Sequence, residues 1–213
     1  MPIESTPKGG GSGAGRAFSV QNYGMMQWDN LFTARQKVVL VIAGRKIASL
    51  YDAGDRNSAL AVLLAMAFDK VIDFNCSLSQ WRSTNEDVGH LFGRQALPIV
   101  WDFAETNLTS GAYVGFERAI NHVLAVVSSV SSIIGHHGQV QQADATSSPL
   151  PDATAGVWFT DPPYYDAIPY SDLSDFFLVW LKRILPGHPM LQDPFDSTNP
   201  LSPKSPNLSL IHI

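Results

Sequence analysis

One cysteine, Cys76, stands in the whole chain, so an internal disulfide and a cysteine-rich zinc site are both excluded. Charge is scarce as well: 15% of the residues are charged and 45% are hydrophobic, the balance of a core-forming chain and not of a disordered one. Long apolar runs are missing. The most apolar stretch, residues 59–68, has about half the length of a membrane span and ends at Asp69-Lys70. Lys8 has no apolar stretch behind it, so no signal peptide is read. Cytoplasmic residence and no membrane partner are the expectations. Basic residues are thin toward the end: positions 1–140 hold eleven Lys/Arg and eleven Asp/Glu, whereas 141–213 hold three and eight. The whole net charge of −5 therefore lies in the second part, which is poorly suited to grip a phosphate backbone unaided.

What stands there instead is Asp161-Pro162-Pro163-Tyr164-Tyr165. It follows a short apolar run, residues 156–160, with the aromatic and β-branched content of a buried strand. A motif at the C-terminal end of a strand in an open α/β sheet faces the ligand crevice. The chemistry that suits this combination is methylation of an exocyclic amino group on a flipped-out base. Asp161 can accept one hydrogen bond from the amino group and the Pro162 carbonyl another. Pro163 stiffens that carbonyl, and the Tyr164 ring offers a face on which the base stacks. Tyr165 and Tyr170 are candidates to border the base pocket. The alternative is a proline-rich turn whose tyrosines pack in the core.

Residues 160–183, reading TDPPYYDAIPYSDLSDFFLVWLKR, resemble the fourth motif and following helix of the large bacterial and archaeal adenine-specific DNA methylases that begin with a domain of unknown function. The resemblance extends to Tyr23-Gly24-Met25 with Trp28-Asp29-Asn30-Leu31-Phe32-Thr33, and to Arg94-Gln95-Ala96-Leu97-Pro98 with Trp101-Asp102-Phe103-Ala104-Glu105. It implies an α/β fold, a partial Rossmann-like methyltransferase sheet with a helical insertion. It further implies S-adenosylmethionine as cofactor and N6-methyladenine in DNA as product. Asp161, Pro162, Pro163 and Tyr164 would be the catalytic set. The family's glycine-rich donor loop after a first strand is not visible. Residues 9–15 have the glycines but no strand before them, and read as flexible linker. The chain thus resembles an internal fragment, with most of the donor site and the DNA-gripping surface outside it. Asp144, in a stretch resembling the strand and acidic turn that meet the donor's adenine, is the cofactor-contact candidate. An Asp that merely opens a turn is the other reading. Two further functions stay open: an RNA or protein amino-methyltransferase, and a non-catalytic binding or structural module on a methyltransferase-like fold.

The expected division is linker over 1–22, a mainly helical part over 23–135, the strand and motif over 136–204, and an unassigned tail over 205–213. Thr33 reads as N-cap of a helix reaching about Tyr51 with Val38, Val41, Ile42 and Ala48 on its buried face. A second helix, about Asn57 to Phe74, is apolar nearly all round, as if sandwiched. Asp69 and Asp73 on it form a carboxylate pair, better suited to a solvated face or cap than to a metal. Arg82 and Arg94 are candidates for phosphate contact or for structural pairs. A third helix, Tyr113 to Ile134, carries Phe116, Ile120, Val123, Leu124 and Val127 at helical spacing. His136-His137 follow on a loop, and no metal is expected. Ser171 reads as the cap of a helix from Asp172 to Leu185, with a stripe of Leu173, Phe176, Phe177, Trp180, Leu181 and Ile184. Pro186-Gly187 stops it, and the remainder reads as loop or disorder.

Overall fold

A computed structural model describes residues 1–10, 13–51, 55–109, 111, 114–133, 149–161 and 168–203. Among these the chain is mixed α/β and helix-rich. Four α-helices, α1 (Ala34–Tyr51), α2 (Asp55–Phe74), α3 (Phe116–Ser131) and α4 (Tyr170–Ile184), accompany one small antiparallel sheet of β1 (Trp81–Arg82) and β2 (Asp87–Val88). None of these helices is long and apolar enough to cross a membrane.

α1 begins where its sequence says it should. The Thr33 N–H donates to Gln36 Oε1 at 2.9 Å and the Gln36 N–H donates back to Thr33 Oγ1 at 3.3 Å, so two otherwise orphaned donors are satisfied reciprocally. Its buried face is not the expected one. Gln36, Leu40, Gly44 and Ile47 point inward, whereas Val38 and Ile42 are 58% and 53% exposed. α1 is apolar over much of its circumference, so packing chooses the face. Gly44 is the point of closest approach, since a Cβ there would lie 3.4 Å from Ile184 Cγ1 on α4.

α2 packs against α1, α3 and α4, as its nearly all-round apolar surface predicts, and buries Ala61, Ala65, Phe68, Val71 and Ile72. α3 is shorter than expected, and only its first half joins the core. Ala119 is buried with Phe116, Ile120 and Val123 packed beside it, but Leu124 and Val127 face solvent. The helix extends beyond its packing partner, so spacing alone overstated its buried stripe.

The core is an aromatic lattice. Phe176 on α4 meets Trp28 edge-on with ring centroids 6.0 Å apart and stacks on Phe32 at 5.9 Å. Trp180, one helical turn on, lies 5.4 Å from Phe32 and 5.6 Å from Phe68. Each such aromatic pair contributes about 0.5–1.5 kcal/mol beyond its area burial. Trp28 Nε1 and Trp180 Nε1 are buried without an acceptor among the described residues, each at a cost of about 1–3 kcal/mol.

The stretch read as linker over 1–22 is tied into this core where it is described. The Thr6 N–H donates to the Met26 carbonyl at 3.0 Å, Trp28 N–H to Glu4 O at 3.0 Å, and Asp29 N–H to Pro2 O at 2.9 Å. Phe18 and Val20 are buried. Gly9 passes so close to the Phe18 carbonyl that a Cβ would collide with it. Glycine serves close approach here, which composition alone cannot distinguish from freedom.

Candidate functional site at the start of helix α4

α4 starts two residues earlier than the sequence suggests. Pro169 is its N-cap, without a side-chain cap bond, and the Leu173 N–H reaches the Pro169 carbonyl at 3.0 Å. Ser171 is therefore inside the helix. Its carbonyl accepts the Ser202 hydroxyl at 2.7 Å. Asp175 is buried. Its Oδ1 lies 2.7 Å from the Ser202 N–H and 2.6 Å from Ser202 Oγ, which compensates the desolvation of a carboxylate in the core. At the other end, Arg183 donates to the Val179 carbonyl at 2.6 Å, to Met1 O at 3.1 Å and to Glu4 Oε2 at 3.0 Å. α4 is held at both ends by segments distant in sequence.

The residues after α4 form an ordered loop where a disordered one was an option. Asp193 accepts from the Phe195 N–H at 2.8 Å and from Asn199 Nδ2 at 2.7 Å. These donors, the Asn199 amide above all, hold its carboxyl below the usual range. Lys182 closes the loop by donating to the Asn199 carbonyl at 2.8 Å. Between loop and helix lies an open groove of about 310 Å³, walled by Phe177, Leu178, Leu181, Leu191 and Leu201.

Ahead of α4 the picture differs. Residues 149–161 are exposed throughout and carry no strand, so the buried strand expected over 156–160 is not formed. Val157, Trp158 and Phe159 are 83%, 66% and 90% exposed. An extended segment cannot satisfy its own backbone groups and needs a neighbouring strand. Among the described residues no strand pairs with it. Asp161, at its end, is exposed. Tyr170, the first residue of α4, is 49% exposed, so its ring is not consumed by the core. Pro162, Pro163, Tyr164, Tyr165 and Asp144 lie outside the described residues, as do His136 and His137.

Of the remaining candidates, Arg82 and Asp73 take structural roles. Arg82 makes a two-point ion pair with Asp87, at 2.8 and 2.6 Å, across the β1–β2 register, and Arg94 is exposed. Asp69 and Asp73 do not form a solvated pair. Asp73 is bonded to His90, and Asp69 Oδ1 is sealed from solvent without a partner among the described residues. Burial pushes the Asp69 carboxyl up to about 8. Cys76 is buried, and burial raises its thiol to about 11, so it is not a reactive thiolate. No group of three or more His, Cys, Asp or Glu side chains converges to hold a metal among the described residues.

Sequence reasoning gave residues 98–108 no role. Glu105 accepts the Thr33 hydroxyl at 2.6 Å and Arg35 Nε at 2.6 Å, with Arg35 the larger cause of its lowered carboxyl pKa. It thus braces the start of α1. No family model, no curated protein and no solved structure matches the chain.

Proposed function

We propose that this chain carries the base-holding part of an S-adenosylmethionine-dependent methyltransferase that acts on the N6 amino group of adenine in DNA. The observation that supports this most is the string Asp161-Pro162-Pro163-Tyr164 placed directly ahead of an anchored amphipathic helix. The Asp161 carboxylate would accept one N6 hydrogen and the Pro162 carbonyl the other, orienting the nitrogen lone pair. The Tyr164 face would hold the extruded base at about 1–3 kcal/mol of stacking, with Tyr165 and Tyr170 at its border. Cytoplasmic residence goes with this activity.

The described residues do not fit the donor. Its methionine part needs a glycine-rich turn between a strand and a helix. The Gly9 region instead precedes a 3-10 turn (Gly13–Ala17) that hydrogen-bonds back to Gly10. The donor cradle and the Rossmann-like sheet would come from residues outside those described, with residues 156–160 as one strand of that sheet. That the Gly9 region forms no strand–turn–helix cradle favours, as second reading, a non-catalytic binding or structural module on a methyltransferase-like fold.

Calorimetric titration of S-adenosylmethionine, run beside a labelled methyl-transfer assay, separates the two. The full-length protein is expected to bind the donor and to transfer methyl groups to DNA. Asp161→Ala is expected to abolish transfer and leave donor binding within about twofold. Equal loss of both would remove Asp161 from the acceptor side, and absence of donor binding in the unaltered protein would support the non-catalytic module.

A further inference from the structure

One acidic residue holds three consecutive residues of a loop. Asp73, on the last turn of α2, accepts His90 Nδ1 on Oδ2 at 2.7 Å and the Phe92 N–H on Oδ1 at 3.3 Å. Its backbone carbonyl accepts the Leu91 N–H at 2.8 Å. A carboxylate partner fixes the His90 tautomer with its proton on Nδ1. The His90 ring is further confined against Phe74, with centroids 4.0 Å apart. The loop delivers Phe92 to α4, where its ring meets Phe176 edge-on at 5.3 Å and Phe177 at 5.5 Å.

The two halves of α4 are anchored differently. Trp180 and Ile184 bind the second half to Phe32, Phe68 and Gly44. In the first half, Phe176 meets Trp28 and Phe32 as well as Phe92, whereas Phe177 has Phe92 and Phe176 as its ring partners. We propose that Asp73 is a positioning residue: through His90 and the Phe92 N–H it seats Phe92, and Phe92 sets the first half of α4 and with it Tyr170. This role goes beyond methyl transfer and does not depend on it.

Amide hydrogen exchange on the whole chain tests the coupling, comparing residues 173–177 with residues 181–184. Asp73→Ala, His90→Ala and Phe92→Ala should each speed exchange in the first half of α4 by about tenfold, leaving the second half within about twofold. His90→Asn places an amide N–H where Nδ1 stood and should restore protection. Should Asp73→Ala fail to fold, the His90→Ala and His90→Asn pair decides alone. Equal acceleration in both halves, no acceleration in His90→Ala, or no recovery in His90→Asn would each overturn the role.

Discussion

Phe176 and Phe159 are the same side chain with opposite fates: the first is fully buried and the second 90% exposed. Both lie in apolar stretches near the motif, one after it and one before. The difference is in the backbone. A helix satisfies its own N–H and C=O groups, so α4 needs only one apolar neighbour to be stable, and it has two in α1 and α2. An extended segment leaves those groups open, and residues 149–161 find no partner strand among the described residues. Apolar sequence therefore marks where a partner is required, and helix or strand decides whether the chain can supply that partner itself.

The comparison breaks most directly at its two phenylalanines. Phe176→Ala should cost about 3–5 kcal/mol in urea unfolding, and Phe159→Ala less than about 0.5 kcal/mol; a comparable cost at both would mean that residues 156–160 pack after all. Asp175→Ala, which strands the Ser202 N–H, should lower stability by about 1–3 kcal/mol by the same measurement. Asp69 sharpens the account through pH. Its folded-state pKa of about 8 exceeds the ordinary 3.8, so the folded state holds the extra proton between these values. Its contribution falls as pH rises from about 4 to about 8 and stays low above that. Asp69→Asn should therefore flatten the pH dependence and stabilise the chain by about 1–3 kcal/mol at pH 9 relative to pH 5. At the α1 cap, Thr33→Ala should cost about 1 kcal/mol, more than Phe159→Ala and less than Phe176→Ala.

Helix existence was legible because period and caps are local: Thr33 announces α1, and Pro186-Gly187 ends α4. Which face turns inward was not. α1 offers Val38 and Ile42 as readily as Leu40 and Ile47, and the choice belongs to Gly44 meeting Ile184 on α4. The Glu105 brace on Thr33 spans 72 positions, and no local pattern announces a contact that distant. At the candidate site, the sequence names Asp161 and Tyr170, and the structure leaves both exposed. Pro162, Pro163, Tyr164 and Tyr165 were legible as a string and lie outside the described residues.

In the proposed function, Asp161 and its neighbours present an adenine amino group for methylation. Mass-spectrometric analysis of DNA after incubation with the full-length protein and S-adenosylmethionine tests it most directly. N6-methyladenine formed by the unaltered protein and missing with Asp161→Ala is the predicted result. Methylation confined to RNA or protein, or N6-methyladenine undiminished by Asp161→Ala, would contradict it.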